Sequence, residues 1–225
     1  MMSRPEARGG GELGSAAPAG LSGLYAITPD WPETRRLLAA TEAILAGGCR
    51  ILQYRNKSAD HALRQEQALA LRLLTRRFDA RLIINDEVDL ALYAQADGVH
   101  LGEDDGELAA ARARLGAAAI LGASCYHSLD LARRAELAGC DYVAFGGFYA
   151  SPTKPQAGRG EASILSAAHA ATRLPVCAIG GITVENAGPL LAAGADMLAV
   201  ISALYDAPDP GLAVGAFTRL FELPS

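Results

Sequence analysis

Two aspartates stand just beyond two short apolar segments and could hold a metal ion together. Asp86 ends the run Leu82-Ile-Ile-Asn-Asp86, and Asp105 follows the run Gly98-Val-His-Leu101 within a polar stretch. Such runs are typical of buried strands in a parallel sheet, and neighbouring strands of that sheet end at the same edge. Carboxylates placed there suit Mg²⁺, which takes one or two of them and completes its coordination with phosphate oxygens and water. The pair therefore predicts a magnesium site.

Cations follow other segments of the same kind. Gln53, Arg55 and Lys57 occupy alternate positions at the end of one segment, so extended backbone would direct all three side chains to one side. Lys154 ends the loop Gly146-Gly-Phe-Tyr-Ala-Ser-Pro-Thr-Lys154, which can offer backbone N–H groups, hydroxyls and a charge to an anion. A lone aspartate at a strand end is often a helix N-cap, but an acid pair with three cations is what a magnesium–diphosphate site needs. The residue types therefore indicate an enzyme that acts on a diphosphate.

A second anion site is predicted towards the end of the chain. Paired glycines stand in Ala178-Ile-Gly-Gly-Ile182, and a hydroxyl residue stands in Val200-Ile-Ser-Ala203. Glycines let backbone amides approach a phosphate, and a helix N-terminus behind them favours the anion. Phosphate-binding barrels of alternating strands and helices hold their ligand at this position. This second site would need no metal.

The segments that position these residues recur along the chain and alternate with helices. Helical periodicity appears at Glu33–Leu45, His61–Phe78, Leu129–Leu137 and Val184–Ala193. Eight strand–helix units in about 205 residues predict a single-domain α/β fold, the (β/α)8 TIM barrel, whose chemistry lies in the loops after the strands. A doubly wound open sheet is the alternative, although the Gly-x-Gly-x-x-Gly motif is absent after the first strand. The predicted strands are Leu24–Ile27, Arg50–Gln53, Leu82–Ile84, Gly98–Leu101, Ile120–Ala123, Tyr142–Phe145, Val176–Ile179 and Leu198–Ile201.

Composition and charge exclude several classes of protein. The 225 residues carry a net charge of −5 and are 51% hydrophobic, which allows a full core but supplies no basic face for nucleic acid. No stretch of about 18 apolar residues predicts a membrane span. Residues 1–20 are rich in Gly, Ala and Pro and have no hydrophobic signal sequence. We expect residues 1–20 to be a disordered tail and residues 21–225 to form the domain, as a monomer or a homo-oligomer.

The cysteines indicate a reducing compartment. Cys49, Cys125, Cys140 and Cys177 show no Cys-x-x-Cys spacing and lie in or beside apolar segments, so we expect free thiols in a cytoplasmic protein. Cys125 lies near the predicted site, but no basic neighbour in sequence would lower its pKa and make it a nucleophile. The Cys and His spacing of zinc sites is also missing. His127, after the fifth strand, is expected to be an exposed loop residue.

Taken together, these motifs resemble those of the thiamine phosphate synthase family. The resemblance runs from about Gly23 to Leu204, and several motifs in the same order are far more specific than any one alone. The motifs are Leu52-Gln-Tyr-Arg-Asn-Lys57, Ile84-Asn-Asp86, Asp97-Gly-Val-His-Leu-Gly102 with Asp105, Gly122-Ala-Ser124, Phe145-Gly146 through Ser151-Pro-Thr-Lys154, and Ala178-Ile-Gly-Gly-Ile182.

The resemblance implies an activity and a set of functional residues. The family joins hydroxymethylpyrimidine diphosphate to a thiazole phosphate, or to its carboxylated form, and releases pyrophosphate to give thiamine phosphate. Its partners would be these small molecules, with no nucleic acid and no membrane. By resemblance, Asp86 and Asp105 would bind the cofactor Mg²⁺, and Arg55, Lys57, Ser124 and Lys154 would be catalytic. The pyrimidine would lie beside Gln53 and Ser124. The thiazole phosphate would be bound by Gly181, Ile201 and Ser202. The diphosphate would be bound by Arg55, Lys57, Asn85, Ser151, Thr153 and Lys154.

Two departures and three alternatives accompany this interpretation. The family often has Gln where Glu103 stands and Thr where Ser151 stands. The nearest alternative is a thiazole tautomerase of the same barrel, which would use His127 as an acid–base residue. It would have no pyrophosphate to neutralise, so the retained acid pair and cations argue against it. A non-catalytic binder of thiamine precursors would be expected to lose metal or cation residues, and a phosphosugar isomerase would lack the acid pair.

Overall fold

Eight parallel strands close into a barrel, and helices cover its outside. The structure is a computed structural model that describes residues 21–150 and 160–222. The strands are β1 (Gly23–Ile27), β2 (Ile51–Tyr54), β3 (Arg81–Asn85), β4 (Gly98–Leu101), β5 (Ile120–Tyr126), β6 (Tyr142–Gly146), β7 (Val176–Ile179) and β8 (Met197–Val200). Each strand pairs with its neighbours in the chain, and β1 pairs with β8 in the register Tyr25 to Ala199. The predicted (β/α)8 TIM barrel is confirmed.

Nine helices lie within the described ranges and pack around the strands. They are α1 (Thr34–Ala46), α2 (His61–Arg77), α3 (Val88–Tyr93), α4 (Leu108–Leu115), α5 (Leu129–Leu137), α6 (Ser163–Ala171), α7 (Gly188–Ala192), α8 (Ser202–Tyr205) and α9 (Pro210–Glu222). The short α8 is an addition to the eight strand–helix units that the sequence predicts. None of these helices has the length and apolar character that a membrane span requires.

Alternate residues of the strands separate into two apolar layers. Ile51, Ile83 and Met197 belong to the layer inside the barrel. Leu52 and Leu82 belong to the layer between the strands and the helices. Because both faces of each strand are buried, the strands read as continuous apolar runs, which is why they could be located from the sequence.

Most predicted boundaries differ from the structure by at most one residue, and two differ by three or more. β5 extends through Tyr126, where a bulge between Ser124 and Tyr126 shifts its register against β6. Such a bulge re-aims side chains beside a site. The helix predicted at Val184–Ala193 is wrong in its first half, because α7 begins only at Gly188. The Asn186 side chain holds the preceding turn instead, accepting from the Thr183 N–H at 2.8 Å.

Gly122→Ala is expected to lower the free energy of unfolding by about 1–3 kcal/mol through overpacking. A Cβ at Gly122 would lie 2.1 Å from Cζ of Tyr142 and 2.4 Å from its hydroxyl oxygen. Tyr142 is fully buried, so its ring has to shift to make room. Urea denaturation measures the effect, with Gly188→Ala as a matched control because, apart from its chain neighbours and the backbone of its own helix, no described atom lies within 4 Å of its Cβ position. Equal stability of the two variants would contradict this packing.

Candidate active site

A cavity of about 680 Å³ opens at the carboxyl ends of the strands. Its volume falls within the usual range of roughly 300–1,000 Å³ for sites that bind small molecules. Ten of the predicted site residues line it: Gln53, Arg55, Lys57, Asn85, Asp86, Asp105, Ser124, Gly181, Ile201 and Ser202. The other three, Ser151, Thr153 and Lys154, lie outside the described residues. The barrel thus brings together residues that are spread over most of the sequence.

The two predicted metal ligands lie side by side after β3 and β4. Asp86 has a left-handed backbone, with φ of 65°, and its N–H donates to the His100 carbonyl at 2.8 Å. Burial and the adjacent Asp105 carboxyl raise the pKa of Asp86 above its usual range, and the contact with Lys57 acts in the opposite direction. The Lys57 ammonium lies 3.0 Å from Asp86 Oδ2. One lysine therefore compensates only part of the charge that two ionised carboxylates would bring together.

This donor set fits magnesium better than a metal that needs a complete protein cage. Asp105 is held by the Gly102 N–H, which donates to its Oδ2 at 2.8 Å. Within the described ranges, no group of three or more His, Cys, Asp or Glu side chains is placed to hold a metal. Mg²⁺ typically uses one or two carboxylates and leaves its other positions to water and substrate phosphates. Asp86 and Asp105 are the residues that could hold it here.

Asp30, in the loop after β1, positions the cations of the β2 end. Its carboxylate accepts from Arg55 Nη1 at 2.9 and 3.0 Å and from the Lys57 N–H at 2.9 Å. Thr28 holds the same segment, because its Oγ1 accepts from the Arg55 N–H and donates to the Arg55 carbonyl, both at 2.8 Å. Neither role was predicted from the sequence. The signal available was a Thr-Pro-Asp sequence directly after a strand, which by itself indicates only a turn.

Five side chains form a continuous hydrogen-bonded series across the cavity floor, which we name the polar chain: Gln53, Tyr25, Tyr142, His100 and Ser124. Gln53 Nε2 donates to the Tyr25 hydroxyl at 2.8 Å, and the Tyr25 and Tyr142 hydroxyls are 2.8 Å apart. His100 Nδ1 lies 2.9 Å from the Tyr142 hydroxyl, and its Nε2 lies 2.9 Å from Ser124 Oγ. Burial lowers the pKa of His100 to about 4, so the imidazole is neutral near pH 7. Of these five side chains, only Gln53 and Ser124 were predicted from the sequence as site residues.

A backbone cradle lies on the other side of the cavity, after β7 and β8. Gly181 has a φ of 62°, and a Cβ there would lie 2.6 Å from the Ala150 carbonyl oxygen, so the position requires glycine. Asn186 fixes this turn by donating to the Gly181 carbonyl at 2.9 Å. Ile201 and Ser202 stand at the start of α8, and both line the cavity. A short extra helix with this placement frames the phosphate site of many barrels.

Three further residues discussed from the sequence are given no chemical role by their positions. His127 lies at the cavity rim and is exposed. Cys125 is buried, which raises the pKa of its thiol to about 12 and leaves little thiolate for nucleophilic attack at neutral pH. Glu103 is exposed and does not belong to the cavity lining, so its charge stays in solvent.

Comparisons of sequence and of structure with known proteins indicate the same family. The family described as thiamine monophosphate synthase matches residues 24–204. A thiamine-phosphate synthase from Thiobacillus denitrificans is 57% identical over 199 residues, which cover 88% of this chain and 94% of that protein. Another, from a Janthinobacterium species, is 51% identical over 201 residues, covering 89% and 97%. A solved thiamine phosphate pyrophosphorylase from Pyrococcus furiosus is 35% identical, with a TM-score of 0.78 over 89% of this chain and 95% of that chain.

Proposed function

The chain belongs to the thiamine monophosphate synthase family, and from that premise we propose that its cavity joins a pyrimidine diphosphate to a thiazole phosphate by Mg²⁺-assisted dissociative substitution. The enzyme forms thiamine phosphate. The observation that carries the mechanism is the meeting of Asp86 and Asp105 with Arg55 and Lys57 in one cavity. β3 and β7 lie opposite each other in an eight-stranded barrel, so this charged side faces the backbone cradle across the cavity.

The charged side is suited to hold a diphosphate as it leaves. Arg55 and Lys57 reach the cavity from the β2 end, and Asn85 reaches it from the β3 end. We assign these three residues, with Ser151, Thr153 and Lys154 of the β6 loop, to the diphosphate. A Mg²⁺ ion held by Asp86 and Asp105 would neutralise part of the charge of the leaving pyrophosphate. Fixed cations are most useful where charge develops, because they need no reorganisation during the reaction.

Bond formation then needs no proton transfer. The amino group of the pyrimidine pushes electrons toward the methylene carbon, so its C–O bond to the diphosphate breaks first and the electron pair leaves with pyrophosphate. The lone pair of the thiazole nitrogen then attacks the carbocation. We place the pyrimidine beside Gln53 and Ser124, and the thiazole phosphate at Gly181, Ile201 and Ser202. The pKa values of His100 and Cys125 are far from neutral pH, which agrees with a reaction that uses no general base.

The test of this function is formation of thiamine phosphate from the two purified precursors, with and without Mg²⁺. We expect product and pyrophosphate in equal amounts, with the rate falling when EDTA removes the metal. Full activity in EDTA would contradict the metal-assisted mechanism and leave the coupling activity intact. No product under either condition would contradict the proposed function itself.

His127→Ala is expected to keep coupling activity within about tenfold of wild type, a margin of about 1.4 kcal/mol in the barrier. Coupling through a carbocation does not require the imidazole, whereas a tautomerase that lost its acid–base residue would slow by about 10²–10⁴-fold. The measurement is pyrophosphate release with both substrates, alongside thiazole isomerisation without the pyrimidine. A wild type that isomerises the thiazole but releases no pyrophosphate would favour the tautomerase instead.

We also propose that residues 21–225 form the catalytic domain and that the enzyme works in the cytoplasm. Cys49, Cys125, Cys140 and Cys177 are all free and buried. Unpaired thiols of this kind are usual in proteins of a reducing compartment.

A further inference from the structure

The donor and the acceptor of each hydrogen bond in the polar chain follow from counting its protons, starting at Gln53. The Gln53 amide nitrogen can only donate, and it donates to the Tyr25 hydroxyl oxygen. Tyr25 has one proton of its own, and its other described partner is the Tyr142 hydroxyl. Tyr25 is 1% exposed, and any other arrangement leaves its buried proton without an acceptor among the described residues. Tyr25 therefore donates to Tyr142.

The same count continues to the other end. Tyr142 accepts from Tyr25, so it gives its own proton to His100 Nδ1. A neutral imidazole with an accepting Nδ1 carries its proton on Nε2, and His100 Nε2 then donates to Ser124 Oγ. The Ser124 proton cannot point back along the chain, so it points into the cavity. Gln53 Oε1 has no hydrogen-bond partner within the described ranges, which leaves it able to accept.

We propose that Tyr25, Tyr142 and His100 are positioning residues that couple the orientation of the Gln53 amide to the direction of the Ser124 hydroxyl proton. The cavity floor then always presents one donor and one acceptor together. In the arrangement observed, Ser124 donates and Gln53 accepts. The matching ligand is an aromatic ring with a nitrogen acceptor close to an exocyclic amine. Assigning that ring to the aminopyrimidine depends on the proposed function, but the coupling itself does not.

The same count makes the His100 imidazole neutral, because its Nδ1 accepts from Tyr142 and its Nε2 donates to Ser124. Each hydroxyl in the middle of the chain gives one proton and accepts one. The orientation of the chain is therefore set by its two end groups, Gln53 and Ser124.

The tautomer of His100 reports the orientation directly, because the ¹⁵N shift of an imidazole nitrogen shows whether it carries a proton. The chain has four histidines, and the signal lost in His100→Asn assigns the residue in ¹⁵N-histidine-labelled protein. For the free wild-type enzyme at pH 7 we expect the Nε2–H form. A wild-type His100 in the Nδ1–H form would overturn the proposal.

Gln53→Glu is designed to reverse the chain. An ionised carboxylate only accepts, so Tyr25 has to donate to it, Tyr142 to Tyr25, and His100 from Nδ1 to Tyr142. We expect the tautomer to change to Nδ1–H within the pH range 6 to 9, although the substitution lies three hydrogen bonds away. Retention of the Nε2–H form up to pH 9 would count against the coupling.

Tyr142→Phe is the matched control, because it removes one hydroxyl from the middle of the chain and keeps the ring. In that background, Gln53→Glu is expected to leave the His100 tautomer unchanged, and a change that persists would mean that the polar chain does not transmit it. Circular dichroism checks that each variant is folded. All spectra are taken on free enzyme, so a failed tautomer test with normal thiamine phosphate formation rejects the coupling alone. The expected tautomers in an enzyme that forms no thiamine phosphate would reject the proposed function alone.

Discussion

Asp86→Asn and Asp105→Asn are each expected to slow pyrophosphate release by at least ~10²-fold. Charge stabilisation by a bound metal is worth several kcal/mol, and about 1.4 kcal/mol corresponds to each tenfold in rate. Either substitution removes one of the two described carboxylates that could hold Mg²⁺, so the apparent Mg²⁺ affinity should fall with the rate. The measurement is pyrophosphate release as a function of Mg²⁺ concentration. Wild-type titration curves in both variants would show that the ion binds elsewhere.

Asp86→Asn should not destabilise the metal-free protein, although it is expected to lower the rate of pyrophosphate release. A carboxyl whose folded-state pKa is raised stabilises the fold in its protonated form, and that contribution disappears as the pH rises through the raised pKa. Ionised Asp86 therefore costs stability near neutral pH. Asn removes that cost and tolerates the left-handed backbone at this position. We expect a melting temperature in EDTA at least equal to that of wild type, so low activity would not reflect unfolding.

Asp104→Asn is the matched control for both acids. It makes the same change of charge one residue before Asp105, at an exposed position outside the cavity lining. Activity and Mg²⁺ dependence should stay close to wild type. A comparable loss in Asp104→Asn would mean that the net charge of the loop matters and that the individual ligands do not.

Arg55→Ala is expected to slow the loss of pyrophosphate by about 10²–10³-fold, the range found when one preorganised charge-stabilising donor is removed. The effect should appear mainly in kcat, because a guanidinium in the proposed role would stabilise the leaving group most strongly as charge develops. Rapid-quench measurement of pyrophosphate separates this step from substrate binding. Lys154→Ala is expected to act in the same direction. A change confined to the KM of the thiazole phosphate would refute the assigned role.

Asp30→Asn separates the charge of Arg55 from its placement. The variant keeps the cation and can still accept from Arg55 and from the Lys57 N–H, but it removes the opposite charge that holds them. We expect a loss of less than about tenfold, since a partly exposed ion pair is worth about 0–1 kcal/mol. A loss as large as that of Arg55→Ala would mean that the negative charge of Asp30, and not only its hydrogen bonds, is needed to place the guanidinium.

The barrel and the charged side of its cavity were predictable because both depend on local patterns. Strands buried on both faces read as apolar runs, and the polar residues that follow them mark the strand ends. Asp86 and Asp105 meet because β3 pairs with β4, which are neighbours in the chain as well as in the barrel. The pairing of two consecutive strands can be inferred from their order along the chain alone.

The polar chain could not be predicted in the same way. Tyr25 and Tyr142 are 117 residues apart and meet only inside the closed barrel. Each lies within an apolar run, where an aromatic residue is ordinarily part of the core. His100 stands in such a run too, and no spacing rule links it to either tyrosine. The bulge after Ser124 is likewise set by pairing with β6, which a single strand sequence does not specify.

Closure of the barrel between β1 and β8 has a consequence for how the chain reaches its folded state. In the finished sheet every strand has two neighbours, so no edge is open to pair with another molecule. That protection depends on contact between residues 23–27 and residues 197–200, which are separated by most of the polypeptide. During synthesis, the edge of β1 that pairs with β8 therefore stays unpaired until β8 has been made. Refolding at high protein concentration should accordingly lose material to aggregation before closure, whereas the closed enzyme stays in solution.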